Sequence, residues 1–291
     1  RSPRPGTRLA LVRSSRLIGA GMLLGLAVGF KLTNAMYAVA LAGVVMVAPG
    51  SCSKRFGTLA VLTLSAGLTF AILTGAWFHR MDAVFGNPLL PQFNAWFRSP
   101  FAAKTILADT RWLPGSLGEA LSWPLLMTLD AKRVGEMPIH QVAWSILYVL
   151  LALWACVALP GRVRGATGAT GVTTTRAGTQ LLVFVTVSFL LWMVVFSIHR
   201  YLVVAEMLAP LAIWLVAHRA FSRPRAEKIA NVLVLACALY ALAGWSTWGS
   251  TGLSATAFRV VVPERGTPQS ASVKRSPAAH SRSPRVASSQ A

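Results

Sequence analysis

Long apolar runs separated by short clusters of arginine and lysine set the pattern of this chain. The first, Leu17 to Ala48, covers 32 residues, too many for one spanning helix of about 20 residues and few for two. Lys31, Thr33 and Asn34 interrupt it near the middle, which predicts a hairpin of two short helices. The stretch GAGMLLGLAVG within it offers small residues that let helices approach closely. Further runs predict spans at 57–78, 140–160, 179–198, 202–217 and 230–247, giving about seven membrane segments in all.

The polar segments between the runs are of two kinds. Residues 1–16, 49–56, 161–178 and 218–229 carry 5, 2, 3 and 4 basic residues with Glu227 as their only acid, which marks them as cytoplasmic. Residues 79–139 hold six basic residues against five acids, a balance that fits the opposite face. Within that segment, Ser116 and Glu119 form a capping-box pattern ahead of Leu117, Leu121, Leu125 and Leu129, which repeat every fourth residue. An amphipathic helix lying on the membrane is expected over 116–135, bent or interrupted at Pro124.

Composition agrees with this pattern. Of 291 residues, 55% are hydrophobic and only 12% charged, and the mean hydropathy is +0.58. These values exclude an ordinary soluble domain. The net charge of +20 would suggest nucleic acid as a partner in a soluble chain, but its placement beside apolar runs makes it a topology signal, and no nucleic-acid partner is expected. Cys52, Cys156 and Cys237 have no metal spacing and predict no disulfide. The fold class expected is an all-α, polytopic transmembrane bundle over 17–248, behind a basic flank at 1–16, with a long extracytoplasmic loop at 79–139. The Ser-, Pro- and Arg-rich residues 249–291 predict a disordered tail. A multi-pass location in a cell membrane follows, with membrane lipid as a partner.

Candidate chemistry lies in three places. In FSIHRYLVVAEML, His199, Arg200 and Tyr201 fall at an outer boundary and Glu206 a turn and a half deeper, positions where charge is expensive and marks a pair, a cavity or a ligand. A guanidinium there suits a lipid phosphate, with Glu206 behind it to orient it. Lys31 is a second outer-face cation, suited to an anionic headgroup or to snorkelling. The loop His79 to Ala103 is Pro- and aromatic-rich, and Asn87, Pro88 and Pro91 predict an ordered turn that docks on the helices. Asp82 and Asp109 are the weak candidates for a general base or a metal ligand. No cofactor motif is present, while a divalent metal stays open.

LLGLAVGFKLTNAMYAVAL, FGNPLLPQFNAWFRSP and FSIHRYLVVAEMLAPL together resemble bacterial multi-spanning proteins of the GT-C glycosyltransferase superfamily. The resemblance covers about 17–217. It implies a polyprenyl-phosphate sugar donor used on the extracytoplasmic face, Arg200 as a ligand of the donor phosphate, and the 79–103 loop, with Asn87 and Asn94, as part of the site roof. Members of that superfamily carry the catalytic acid in their first extracytoplasmic loop. That loop is missing here, so the chain, which starts at Arg1 instead of Met, is expected to lack its natural N-terminal part and the catalytic carboxylate with it. A transporter or flippase and a non-catalytic scaffold subunit are the alternatives.

Overall fold

The computed structural model describes residues 5–106, 109–163 and 176–244, with side chains from Ser14 onward and not for 157–163. The tail at 249–291 and most of the linker at 161–178 lie outside the described residues.

Helix α1 (Pro5–Phe30) ends at Lys31, whose backbone is extended, and a single 3-10 turn over Leu32–Asn34 leads into α2 (Ala35–Val47). The Asn34 side-chain amide donates to the Ala27 carbonyl at 2.8 Å, which also accepts from the Lys31 backbone amide at 3.2 Å, and so ties the turn to the end of α1. The break therefore falls where the three polar residues stand. α3 (Cys52–Phe85) begins with the Ser51 hydroxyl accepting from the Lys54 amide and stops at Gly86, whose φ of 66° closes the helix in the left-handed conformation. It runs parallel to α1: Gly21 faces Leu62 and Ser65, Gly25 faces Ala66, and Gly29 faces Leu73 and Thr74. The chain must therefore turn back through α2, as a hairpin requires. The two arms of the hairpin pack mainly on other helices, α1 on α3 and α2 on α7 (Arg176–Val195).

At Gly21 and Gly25 an added Cβ would collide with Leu62, Ser65 and the Ala66 carbonyl, so the small-residue stretch permits the expected close approach. α3 is 34 residues long, and only 6% of its most apolar window is buried. Several of its hydroxyls are satisfied within the helix: those of Ser65, Thr69 and Thr74 donate to carbonyls four residues back at 2.6, 3.0 and 2.8 Å. A helix this exposed and this apolar suits lipid, where each polar group must find a partner within the chain.

After a single turn in the following loop, α4 (Asn94–Phe97), the core lies among the later helices. α5 (Leu117–Leu129), α6 (Ala143–Val163), α7, α8 (Val203–Ala220) and α9 (Arg223–Ala243) gather around Trp123, Met127, Trp144, Leu147, Phe189, Trp192 and Ile213. α8 is central, with Ala205, Ala209, Ala212 and Ala217 buried beside Ile213 and Val216, so that α6, α7 and α9 all pack on it. α3, α7, α8 and α9 are each long and apolar enough to cross a membrane, and Ser14–Phe30, Leu32–Val47 and Ala143–Cys156 are shorter apolar helices. The described residues are helical with no strand, as a polytopic bundle demands.

Several features differ from the sequence reading, and α3 already starts at Cys52, within the segment 49–56. The first seven residues of the 79–103 loop continue α3, because nothing before Gly86 breaks the helix. α5 has the expected capping box, with Glu119 reaching back to the Gly115 amide at 2.6 Å, but ends at Leu129 instead of 135. It also runs through Pro124, whose own carbonyl accepts a 2.7 Å bond from Ser145. The predicted basic loop 218–229 is mostly helix: Phe221 and Ser222 alone join α8 to α9, since Pro224 suits a first helical turn and Arg223 pairs with Glu227 four residues on.

Candidate functional site

α7 ends in a structured corner. Ser197 takes a left-handed φ of 48°, and its hydroxyl donates to the Met193 carbonyl at 2.8 Å. The buried Trp192 ring nitrogen donates to the Ile198 carbonyl at 2.8 Å. A 3-10 turn over His199–Tyr201 follows, tied to the preceding loop by the His199 amide, which donates to the Val134 carbonyl at 2.8 Å. The corner is fixed from three directions before any ligand is considered.

Lys31 and the neighbours Arg200 and Tyr201, singled out in two different places of the sequence, meet here. The Lys31 ammonium lies 4.7 Å from the centre of the Tyr201 ring, and the Arg200 guanidinium 5.1 Å from the same ring. Tyr37 of α2 fixes their relation by donating its hydroxyl to the Tyr201 carbonyl at 2.6 Å. Among the described residues, neither Lys31 nor Arg200 forms an ion pair with a carboxylate, and both are exposed. Two exposed cations thus stand on one aromatic ring at the end of an apolar helix, each with hydrogen-bond donors to offer an acceptor.

Glu206 does not orient Arg200. It stands in the first turn of α8 and accepts from, or pairs with, the His199 ring Nε2 at 2.8 Å. A tight 3-10 turn followed directly by a helix carries His199 over that first turn, while Arg200 is rotated away toward Tyr201. His199 also separates two cavities. One, of about 110 Å³, is lined by Asp109, Arg111, Glu136, His199 and Arg200. The other, of about 300 Å³, is lined by His140, Gln141, His199 and Glu206.

No protein family, curated protein sequence or solved structure matches this chain.

The remaining candidates divide. Asp109 shares the smaller cavity with Arg200, but its carboxylate is committed to Arg111, which donates to both oxygens at 2.8 and 2.7 Å. The hydrogen bond from the Arg111 side chain holds the Asp109 carboxyl down to about 2, and the same bond raises Arg111. A carboxylate of such low basicity is a poor proton acceptor near neutrality. Asp82 is exposed on α3, about two turns beyond the level at which Gly29 meets Leu73 and Thr74.

Asn87 and Asn94 are fully buried and spend their amides within the loop. Asn87 bonds the Gln92 carbonyl at 3.0 Å, the Leu89 amide at 2.8 Å and Asn94 at 3.2 Å. Asn94 holds the carbonyls of Ser99 and Ala102 and accepts from the Ser99 amide, at 2.9 to 3.0 Å. This network stabilises the left-handed conformations of Phe93 and Arg98, and Phe101 packs edge-on against Phe85 at the end of α3. Trp96 and Phe101 stay 70% and 65% exposed, so the turn is ordered as expected but its aromatics face outward. Arg111, His140 and Gln141 line the site without any local sequence signal, being brought there by the packing of loops on α7 to α9.

Proposed function

We propose that this chain is a multi-pass membrane protein that binds an isoprenoid-type lipid phosphate at Lys31, Arg200 and Tyr201, on the face opposite its basic loops. Glycosyl transfer from that carrier is the activity the resemblance adds. Seven membrane segments, with 79–139 outside the cytoplasm, belong to the same proposal. The single observation that supports it is the convergence of Lys31 and Arg200, from distant parts of the chain, on one tyrosine ring with no carboxylate partner among the described residues. An ammonium and a planar guanidinium in that arrangement grip the terminal oxygens of a phosphate while the tail stays in lipid.

A non-catalytic lipid-binding subunit is the second reading. The commitment of Asp109 to Arg111 and the place of Asp82 on α3 favour it, because neither carboxylate is poised as a base beside Arg200.

Binding of a polyprenyl phosphate to the protein in nanodiscs tests the proposal. Arg200→Ala is expected to weaken binding at least about tenfold, as loss of a charge-assisted hydrogen bond contributing about 1.5–3 kcal/mol requires. Arg200→Lys should also bind more weakly, because an ammonium lacks the planar two-bond fork. Equal affinity of all three folded forms would show that Arg200 only snorkels.

A further inference from the structure

The loop after α3 is held from within by polar groups and presents aromatic rings outward. Asn87 and Asn94 are fully buried and bonded to each other, whereas Phe93, Trp96, Phe97 and Phe101 are all exposed. The short helix α4 is flanked by two left-handed residues, Phe93 at φ 56° and Arg98 at φ 57°, a conformation that strains a bulky side chain. With that backbone Phe93 stacks on Trp96, ring centres 5.3 Å apart and planes 22° from parallel, and both rings stay open to the surroundings. Rings that served only to hold the loop would be turned inward, and this much exposed aromatic surface is a liability in water.

The charge of the loop points the same way. Residues 83–108 contain Arg98 and Lys104 and no acid. Both side chains are exposed, and among the described residues neither pairs with a carboxylate. Aromatic rings beside unpaired cations suit the boundary between lipid tails and lipid phosphates.

α3 sets the level at which this surface stands. Its 34 residues measure about 51 Å, against about 40–45 Å for a bilayer with both headgroup layers. A helix of that length with Lys54 and Arg55 in one headgroup layer ends in the other at a tilt of about 30°, within the usual range. Leu64, Leu68, Ile72 and Trp77 are exposed along the way, and Gly86 closes the helix. The loop then leaves α3 among the headgroups and not above them.

We infer that the rings of Phe93, Trp96, Phe97 and Phe101 dock on the outer leaflet of the membrane that α3 crosses, with Arg98 and Lys104 as ligands of anionic lipid phosphates. Docking fixes the outer end of a helix that otherwise packs mainly on α1. The inference rests on α3 crossing the membrane, as the proposed function has it, and not on phosphate binding by Arg200.

The test uses the full chain with its native cysteines replaced, in nanodiscs of phosphatidylcholine with or without phosphatidylglycerol. A nitroxide is attached through Trp96→Cys, where it takes the place of the ring, or through Leu68→Cys in the middle of α3. Spin relaxation by oxygen, which concentrates in lipid, and by a neutral nickel chelate, which stays in water, reports what surrounds each label. Oxygen is expected to dominate at position 68 and at least to match nickel at position 96. Phosphatidylglycerol should lower nickel accessibility at position 96 about twofold or more, an effect that Arg98→Gln combined with Lys104→Gln removes. Nickel dominating at position 96 but not at 68 overturns the inference and leaves the spanning helix standing, whereas nickel dominating at both removes the span and the inference with it. Low accessibility to both reagents at position 96 overturns it in favour of a protein surface, a second copy included, over the rings. A response at position 96 that is blind to phosphatidylglycerol refutes the role given to Arg98 and Lys104.

Discussion

At the scale of single residues, the hydrogen-bonding capacity of each side chain decides its role. His199, Arg200 and Glu206 read from the sequence as one charged group, but geometry divides them into a His199–Glu206 pair and an Arg200–Tyr201 contact. The same accounting shows that Asn94 organises its loop. Its amide joins three segments, and removing it would strand the buried Ser99 amide and at least two carbonyls. Leaving one buried group unpaired costs about 1–3 kcal/mol. Asn94→Ala is therefore expected to release residues 87–106, seen as faster proteolysis there in membranes. Cleavage no faster than in the wild-type protein would mean that Pro88, Pro91 and the aromatics hold the turn without the amide.

At the scale of elements, close approach matters as much as hydropathy. α1 and α3 are nearly bare of large buried side chains where they meet, because Gly21 and Gly25 bring backbone against backbone. In lipid, where apolar contact with tails competes with apolar contact between helices, such fit is what joins two helices. A larger side chain at Gly25 would meet the Ala66 backbone, which cannot rotate away as a flexible side chain can. Overpacking of this kind costs about 1–3 kcal/mol. Gly25→Leu should separate α1 from α3, whereas Gly19→Leu, which meets nothing within 4 Å, should not. Disulfide formation between cysteines placed at Gly29 and Leu73, where an added Cβ would lie 3.6 Å from that of Leu73, would report the separation. Equal crosslinking in both variants would show that the α1–α3 contact does not depend on Gly25.

At the scale of the whole molecule, two packing regimes coexist. α5 to α9 enclose a core rich in tryptophan and alanine, whereas α3 leaves most of its apolar surface uncovered and α5 turns Leu117, Leu121 and Leu129 outward. Exposed apolar surface on this scale is stable against lipid and a liability in water. The basic segments then fix direction, and the proposed topology places Gln92 outside and Thr170 in the cytoplasm. With native cysteines removed, a membrane-impermeant thiol reagent added to intact cells should label Gln92→Cys and spare Thr170→Cys. Equal protection of both positions would refute that orientation.

Hydropathy and punctuation by themselves determined the helical class, the break at Lys31 to Asn34, the Ser116 start of α5 and the closely packing glycines, because each depends on residues within a few positions of one another. The end of α5, the continuation of α3 to Phe85 and the early start of α9 were less legible, since polar residues alone leave a helix end undecided: Lys31 ends α1 and Asp130 ends α5, whereas Asp82 lets α3 run on to Gly86. The site was legible only in part. Arg200 and Lys31 could be chosen for charge at a boundary and Tyr201 as the neighbour of Arg200, but the meeting of both cations on the Tyr201 ring depends on α2 packing along α7. Gln141 gave no local sign at all. Its side-chain nitrogen and oxygen are buried without a partner among the described residues, and only the tertiary structure decides that.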